Sequence, residues 1–588
     1  MKWPVIGGGD LAGLLDDWQA RWPEALAAWS PFTKLTEPRW CLNEKDDKAE
    51  HLTDSFAMIR LDDHAIVISL KQVRELGLET FPVEIMAHEV GHHVLAPADL
   101  RDNARLLAHI RAGLPTRESF APLVSNLYTD LLINDRLQRT AGLKMKEVYR
   151  KLKRPDADRL WKLYMRMYEV LWSLPSGELV DAIEDRQIQC DAQLGARVVR
   201  AYAKDWLDGA GRFACLLLPY LLELKTEKIA GVLTPWLDTQ RAGEGGSIPD
   251  GLAEIDESEI DGAIHPAEDP ELSGLEAESD SSSPQAGGRA EKGGRKNQYR
   301  SPKQYTELMD SLGVKLSENE VVIRYYRELA TPHLVRFPVR EVKEAQDPLP
   351  EGVDVWDAGS PLQNVDWVES LTKSPHVIPG VTTVERVYGT SEGSSPERLP
   401  VDLYLGVDCS GSMFNPKHNL SYPVLAGAII ALSALRVGAK VMVTLSGEPG
   451  EHSSTDGFTR NHHEIMKVLT GYLGTGYSFG ILRLKETFLD GEKLPRPAHI
   501  LIVTDSDIFH MLDEVRTGWE IAEQAAKTAR GGATFVLHMA QESCYADGIA
   551  RMRQIGWNVH LVATQEDLVA FARAFSRAKY ESVPEARK

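Results

Sequence analysis

Residues 401–413, VDLYLGVDCSGSM, decide how the C-terminal part of this chain folds. The first seven residues form an alternating run of mainly aliphatic and β-branched side chains, as in a buried strand, and a polar loop follows. That loop places Asp408, Ser410 and Ser412 on alternate residues. Oxygen ligands just past the carboxyl end of a strand can converge on one point. The pattern therefore predicts a site for a hard, partly hydrated cation such as Mg²⁺.

The spacing Asp-x-Ser-x-Ser resembles the metal-ion-dependent adhesion site of von Willebrand factor type A (VWA) domains. In that family a distant Thr and a distant Asp complete the magnesium site. On this resemblance Thr475, in LGTGYS, and Asp505, at the end of the apolar run HILIVTD, join Asp408, Ser410 and Ser412 as ligands. The resemblance also implies that an Asp or Glu of a protein partner completes the coordination of Mg²⁺. An ordinary polar turn in a nucleotide-fold protein is the alternative.

Regular alternation of strands and helices follows this loop. Five strands are predicted, at residues 401–407, 439–445, 499–505, 533–539 and 557–563. Helices such as 424–435 and 519–529 lie between them. Strand and helix repeating at these intervals predict a parallel, doubly wound, Rossmann-like α/β sheet with the cation at its carboxyl edge.

Length, charge and apolar runs bound the class of protein. With 588 residues the chain is too long for one hydrophobic core, so we expect a multidomain protein. A formal net charge of -20 and the lack of a basic stripe with interleaved aromatics argue against a nucleic-acid partner. The longest apolar run, residues 213–224, is too short to span a bilayer, and the amino terminus lacks a secretory apolar region. We therefore expect no membrane partner and a cytoplasmic protein.

The N-terminal part contains FPVEIMAHEVGHHVLAP at residues 81–97. Apolar residues recur at helical spacing, so His88 and His92 stand one turn apart on one helix face. The pattern His88-Glu89-x-x-His92 is the zincin signature. In it two histidines bind Zn²⁺, and the Glu is the general base for attack of water on a peptide carbonyl. We expect Gly91 to leave room beside the metal. A helix with two surface histidines is the alternative.

Two strand-like runs precede this helix, at residues 55–61 and 64–70, and a polar turn joins them. They predict a β-hairpin. In zincins an edge strand ahead of the active-site helix extends the substrate backbone as an added strand. An amphipathic helix over residues 11–29 is predicted before the hairpin.

A catalytic zinc site needs a third protein ligand. Residues 118–139 predict a second helix, on which Asn126, Asp130 and Asn134 follow one another at steps of four. This stripe resembles the Asn-x-x-x-Asp-x-x-Ile-Asn pattern of a bacterial metallopeptidase-type domain that occurs fused ahead of VWA domains. On that resemblance Asp130 is the third zinc ligand. Asp135 is the alternative ligand, and capping or solvated polar groups are the alternative explanation of the stripe.

The remaining segments carry weaker signals. Residues 145–224 are rich in helix formers whose aromatic and Leu positions are explained by core packing, and we expect His109 at the surface or the edge of the core. No Lys or Arg occurs between Arg241 and Arg289, where Asp and Glu recur among Gly, Ser and Pro, which predicts disorder. The predicted boundaries are a mostly helical α+β zincin-like domain at 1–237, a disordered acidic linker at 238–304, a bridging segment at 305–399 and the VWA domain at 400–588.

These features predict a zinc-dependent metallopeptidase, a hydrolase acting on peptide bonds, whose VWA domain binds a protein through a Mg²⁺-bridged carboxylate. Bacterial proteins with similar VWA domains work beside MoxR-type AAA+ ATPases, so the resemblance implies such an ATPase as a partner. The chain has no GxxxxGK[ST] of its own. The alternative is a non-enzymatic adaptor or assembly factor with a structural or idle zinc site. Glu89 favours the peptidase, because a structural site needs no general base.

Overall fold

The computed structural model describes residues 11–52, 55–153, 157–224, 248–273, 298–334, 339–342, 346–392, 397–411, 413–447, 451–475, 480–491, 493–505, 508–538 and 545–578. The chain divides into two units, a first unit of Met1–Glu328 with Lys417–Asn419 and a second unit of Leu329–Pro416 with Leu420–Lys588. Helices and sheets are mixed in both. Within the described ranges, no helix has both the length and the apolar character needed to cross a membrane.

The first unit begins with helices arranged around a small sheet. Its elements are α1 Leu11–Ala27, β1 Arg39–Cys41, α2 Glu44–Ala49, β2 Ala57–Ile59, β3 Ile66–Ser69, α3 Leu70–Glu75, α4 Pro82–Val94, α5 Leu100–Ala112 and α6 Ala121–Arg139. The sheet has the order β1-β3-β2, so β2 lies at an edge. β2 and β3 are antiparallel, which confirms the predicted hairpin. β1 pairs parallel to β3 and was not predicted, because three residues carry little periodicity.

Close packing fixes α4 against α6. A Cβ added at Gly91 would lie 2.6 Å from Cγ2 of Ile133 on α6 and 2.6 Å from Cζ2 of Trp29. The indole nitrogen of Trp29 also donates a hydrogen bond to the carbonyl oxygen of Ala87 at 2.7 Å. The expectation that Gly91 leaves room beside a metal is therefore wrong. Gly91 instead lets α4 approach α6 and the tryptophan.

Four further helices follow, as the helix-rich composition predicts: α7 Met145–Lys151, α8 Arg159–Leu171, α9 Arg186–Ala201 and α10 Trp206–Glu223. The side chains of Asp158 and Asp185 accept hydrogen bonds from the first turns of α8 and α9 and so cap them. His109 on α5 is 1% exposed, so the expectation that it lies at the surface or the core edge is wrong.

The acidic segment is folded where the structure describes it, and the prediction of disorder over 238–304 is wrong for residues 248–273 and 298–304. The folded part contains β4 Glu254–Ile255, α11 Glu257–Asp261, α12 Pro270–Ser273 and β5 Gln298–Tyr299, with β4 and β5 antiparallel. Residues 238–247 and 274–297 of that prediction lie outside the described residues.

Arginines explain why the acidic segment folds. Nε of Arg212 on α10 donates to Oδ2 of Asp269 at 2.7 Å, and the hydroxyl of Tyr202 donates to the same oxygen at 2.7 Å. Arg300 forms an ion pair with the buried Glu259. The segment has few apolar residues to bury, and charge-assisted hydrogen bonds from partners distant in sequence stabilise its fold instead.

Helices α13 Pro302–Ser311 and α14 Glu318–Ala330 follow. Glu320 accepts a hydrogen bond from the backbone N–H of Ser317, and the Ser317 hydroxyl accepts one from the N–H of Glu320, so the two residues form a capping box at the start of α14. α13 and most of α14 belong to the first unit. The segment predicted as one bridging piece over 305–399 is therefore divided between the two units.

The second unit begins with two antiparallel ribbons and one short helix. Its elements there are β6 Val339–Val342, β7 Gln346–Val355, α15 Trp367–Lys373, β8 Val384–Glu392 and β9 Glu397–Pro400. β6 pairs with β9, and β7 pairs with β8.

A six-stranded, mostly parallel sheet forms the rest of the second unit. Its elements are β10 Asp402–Asp408, α16 Tyr422–Arg436, β11 Val441–Ser446, β12 His452–Ser454, α17 His462–Leu469, α18 Gly480–Phe488, β13 Ala498–Asp505, α19 Ile508–Glu514, α20 Gly518–Ala529, β14 Arg530–His538, α21 Ala546–Gln554, β15 Trp557–Val562 and α22 Gln565–Ala578. The strand order is β12-β11-β10-β13-β14-β15, and only β12 is antiparallel. The parallel α/β sheet confirms the prediction, whereas the antiparallel edge strand was not predicted.

Candidate metal sites

Helices α4 and α6 bring three side chains of metal-binding type together. Nε2 of His88 and Nε2 of His92 lie 3.7 Å and 3.6 Å from Oδ1 of Asp130. All three ligand atoms lie within 4.8 Å of one another. Ligands held about 2.1 Å from a tetrahedral centre are about 3.4 Å apart, so the donor set and its spacing fit a zinc ion. The two helices therefore form a candidate metal site from residues far apart in sequence.

Asp135, the alternative third ligand, does not join the two histidines. Its Oδ2 atom lies 2.8 Å from the guanidinium of Arg139, one turn later on α6. Residues five apart on a helix are about 140° apart around its axis, so Asp130 and Asp135 project from different faces. Burial raises the pKa of the Asp135 carboxyl, and the hydrogen bond from Arg139 opposes that effect.

Asn134 orients the first histidine. Its Oδ1 atom lies 2.8 Å from Nδ1 of His88, and its Nδ2 atom donates to the hydroxyls of Tyr149 and Tyr168, each at 2.9 Å. Since the amide nitrogen is used on the hydroxyls, the amide oxygen accepts the Nδ1 proton of His88. The Nε2 lone pair of His88 is thereby left facing Asp130.

The other two side chains are also held in place. Nδ1 of His92 lies 3.1 Å from the carbonyl oxygen of Ala96, which can only accept, so Nδ1 carries the proton and Nε2 offers its lone pair. Asn126 donates to Oδ2 of Asp130 at 3.3 Å, while Oδ1 is the oxygen nearest the histidines. The polar stripe predicted on α6 thus contributes one candidate metal ligand, Asp130, and two amides that hold Asp130 and His88 in position.

Three buried tyrosines stand behind Asn134. The hydroxyl of Tyr168 lies 3.1 Å from that of Tyr149 and 3.0 Å from that of Tyr164. Burial raises the pKa of each hydroxyl, and the charge of Asp130 raises it further, so all three stay protonated at neutral pH. Sequence reasoning explained these tyrosines by core packing alone. The available signal was the one-turn spacing of Tyr164 and Tyr168, which stacks two hydroxyls on one face of α8.

Glu89 lines a small cavity beside the three metal-binding side chains. The cavity has a volume of about 40 Å³, and Glu89 itself is 2% exposed. A space of this size accommodates one or two water molecules. Polar and apolar side chains line the cavity together, and two of the lining residues, Ser55 and Phe56, lie directly before edge strand β2. The lining residues are Ser55, Phe56, Ile85, His88, Glu89, Asp130, Asn134, Met145, Val148 and Tyr149.

A second candidate site lies at the carboxyl edge of the parallel sheet. β10 and β13 are adjacent, which brings Asp408 and Asp505 to the same edge. The hydroxyl of Thr504 donates to Oδ2 of Asp408 at 2.8 Å, and the backbone N–H of Ser410 donates to Oδ1 at 2.8 Å. Burial raises the pKa of the Asp408 carboxyl, and the charge of Asp505 raises it further. A divalent cation would relieve the repulsion between these carboxylates, so the residues fit Mg²⁺.

Thr475 joins this site through a neighbouring loop. Ser410 and Thr475 form a parallel bridge, and the N–H of Gly411 donates to the carbonyl oxygen of Thr475 at 2.6 Å. The structure therefore brings together Asp408, Ser410, Thr475 and Asp505. Ser412 lies outside the described residues. Sequence reasoning missed Thr504, whose only signal is its position beside Asp505.

The comparisons with known proteins assign neither site to a family. No protein-family model matches the chain. A search of curated proteins finds no match either.

Proposed function

We propose that the first unit is a zinc-dependent peptidase in which His88, His92 and Asp130 hold the metal and Glu89 is the general base. The supporting observation is that Glu89 lines the same cavity as His88 and Asp130. A zinc ion in this site would supply Lewis acidity, polarising a peptide carbonyl and lowering the pKa of bound water towards neutrality. A structural site would have no need of a carboxylate such as that of Glu89 between two of its ligands.

The residues around the metal have separate tasks in this proposal. The Glu89 carboxylate accepts a proton from the attacking water and returns it to the departing amine nitrogen. Asn134 keeps His88 in the tautomer that offers Nε2. The apolar cavity wall limits access of bulk water, which strengthens electrostatic interactions inside. Edge strand β2 would align the substrate backbone by strand addition, because Ser55 and Phe56, directly before it, line the cavity.

The experiment separates metal binding from catalysis in the purified full-length chain. Zinc content is measured in the wild type and in the variants Glu89→Gln, His88→Ala and Asp130→Ala, alongside cleavage of a fluorogenic peptide library. We expect Glu89→Gln to retain zinc and to lose cleavage by about 10²-fold or more, whereas the other two variants lose zinc. Cleavage that survives Glu89→Gln, or full zinc in His88→Ala, contradicts the proposal.

One observation favours a second candidate, an adaptor or assembly factor whose zinc site is idle. The cavity of about 40 Å³ is far smaller than a substrate site, which typically measures about 300 Å³ or more. Zinc-loaded protein that binds a hydroxamate zinc chelator but cleaves no peptide, with or without candidate partners, would support the adaptor.

For the second unit we propose a magnesium-dependent protein-binding site of the VWA type. Asp408, Ser410, Thr475 and Asp505 supply oxygen atoms at one sheet edge, and Ser412 is the fifth residue of the proposed set. The partner would offer an Asp or Glu, and a MoxR-type AAA+ ATPase is the candidate that the resemblance implies. Magnesium-dependent binding of such an ATPase, lost in Asp408→Ala, tests this part. Binding that is unchanged by a chelator contradicts it.

A further inference from the structure

The large apolar side chains that are exposed on this protein are concentrated in one place. Among the described residues, more than half of them lie between residues 353 and 388 of the second unit, around β7, α15 and β8. They are Val353, Val355, Leu362, Trp367, Val368, Leu371, Val377, Ile378, Val381, Val387 and Tyr388. We call residues 353–388 the apolar surface. β7 pairs with β8, so the exposed side chains of the two strands lie on neighbouring elements. Large exposed apolar patches are rare on monomeric proteins and mark interaction sites.

Helix α15 turns its apolar face outward. Trp367, Val368 and Leu371 are 48%, 76% and 52% exposed, and their spacing of one, three and four residues places them on one side of the helix. The buried side carries Ser370, whose hydroxyl accepts a hydrogen bond from the N–H of Val384 on β8 at 2.9 Å. A serine thus anchors α15 to the ribbon, and the larger apolar side chains of the helix remain exposed.

Charge narrows the chemistry of that molecule. Carboxylates outnumber cations across the apolar surface and at its margin: Glu351, Asp354, Asp357, Asp366, Glu369 and Glu385 against Lys373 and Arg386. Arg386 is already paired with Asp366. The surface is therefore apolar with an acidic surround. A ligand that matches both properties carries apolar and basic side chains together.

We propose that the apolar surface docks a basic, amphipathic helix of a partner protein, with Trp367, Val368 and Leu371 as the central contacts. An apolar helix face buried in such a contact, with Lys or Arg at its edges, satisfies both features of the surface. A second copy of this chain is a poor occupant, because it would bring two acidic surrounds together in a protein whose formal net charge is -20. Anionic lipid headgroups are disfavoured for the same reason.

The test uses the full-length chain and a fluorescein-labelled helical peptide of Leu and Lys, with a Leu and Glu peptide of the same pattern as its counterpart. Binding is measured by fluorescence anisotropy at two salt concentrations. We expect the Leu and Lys peptide to bind, more weakly at high salt, and the Leu and Glu peptide not to bind. The double variant Val368→Ser with Leu371→Ser should weaken binding about tenfold or more. Phe32→Ser, which removes another highly exposed apolar side chain, is the control and should change nothing.

Each alternative has its own outcome. No loss of binding in the double variant means that the peptide responds only to the negative charge of the chain, and this outcome overturns the proposal. Equal loss in the Phe32→Ser control means that the loss is not specific to the apolar surface, and it overturns the proposal too. Concentration-dependent dimerisation of the wild type that the double variant abolishes assigns the surface to a second copy and also overturns it. Sedimentation of the wild type, but not the double variant, with phosphatidylcholine vesicles assigns it to a membrane surface, with the same consequence. Circular dichroism of both variants confirms that they are folded.

Discussion

Oδ1 of Asn134 lies 2.8 Å from Nδ1 of His88, while Nδ2 of the same amide donates to two tyrosine hydroxyls. The amide therefore connects a buried hydrogen-bond network to an imidazole of the candidate metal site. Replacement by Leu removes the acceptor that fixes the tautomer of His88, and we expect zinc affinity to fall about 10–100-fold. Competition with a chelating dye measures it.

Tyr164→Phe is the matched control for this prediction. The hydroxyl of Tyr164 belongs to the same network and contacts that of Tyr168, but no hydrogen bond joins it to Asn134 among the described residues. We expect a smaller change in zinc affinity than in Asn134→Leu. Equal affinities in Asn134→Leu and in the wild type would mean that the amide has no influence on the metal.

The two carboxylates of α6 should differ sharply. Oδ1 of Asp130 lies within 3.7 Å of both histidine Nε2 atoms, whereas Asp135 is bound to Arg139. We expect Asp130→Asn to lose zinc on dialysis and Asp135→Asn to keep it, as measured by elemental analysis. Treatment of the wild type with a chelator should likewise yield zinc-free protein, as expected for Asp130→Asn after dialysis. If Asp130→Asn retains zinc and Asp135→Asn loses it, Asp135 and not Asp130 is the third zinc ligand.

Gly91 should be needed for packing. A methyl group there would meet Ile133 and Trp29 at 2.6 Å, so we expect Gly91→Ala to lower the free energy of unfolding by about 1–3 kcal/mol. Urea denaturation followed by tryptophan fluorescence measures the change. Gly13, on α1, has no atom within 4 Å of an added Cβ, so Gly13→Ala is the control and should be neutral or slightly stabilising.

A second change tests the cause of the Gly91 effect. Ile133→Val removes one methyl group from the side chain that an alanine at 91 would meet. If the loss comes from this clash, the double variant Gly91→Ala with Ile133→Val is less destabilised than the sum of the two single variants. Additive losses would point away from direct contact.

His109 should make the stability of the first unit dependent on pH. It is 1% exposed, neither ring nitrogen has a hydrogen-bond partner among the described residues, and burial lowers its pKa from 6.5 to about 4. Between these two values the unfolded chain binds a proton that the folded chain does not. Stability is therefore complete above about pH 6.5 and falls towards pH 4, by up to about 3 kcal/mol.

His109→Leu should flatten this dependence, since it removes the titrating group without breaking a described hydrogen bond. Urea midpoints between pH 7.5 and 4.5 measure the difference from the wild type. The exposed His452 provides the control, because His452→Leu should follow the wild-type curve. An unchanged slope in His109→Leu would show that other groups carry the pH dependence.

Magnesium should stabilise the second unit. At ten times its dissociation constant, a ligand that binds only the folded state adds about 1.4 kcal/mol. We expect a corresponding rise in the unfolding temperature of the wild type, absent in Asp408→Asn and Asp505→Asn. Asp490→Asn, in an exposed pair with Lys485, is the control and should retain the full response. A response that survives in Asp408→Asn places the cation elsewhere.

The sequence determined the elements whose periodicity is strong. The strands around residues 401–407 and 499–505, the helix of the HExxH pattern and the polar stripe on α6 all follow from local patterns. Local patterns also named His88 and His92, because histidines one turn apart share a face of a helix whatever lies beside it. Asp130 was named as the third ligand only through the resemblance of its stripe to a metallopeptidase-type pattern. The low apolar content of residues 248–273, by contrast, indicated disorder. The prediction was wrong because the arginines that bind the carboxylates of this segment are remote in sequence.

Only the tertiary structure decided which partner each polar group meets. The tertiary structure brings Asp130, and not Asp135, to the two histidines. The contact of Gly91 with Ile133 and Trp29 fixes how α6 is rotated against α4. It also joined Tyr168 of α8 to Asn134 beside the candidate metal site, and it placed the hydroxyl of Thr504 on Asp408. Periodicity specifies the face of an element and not the neighbour across from it. Hydrogen bonds and ion pairs between distant residues therefore become visible only when the faces are packed together.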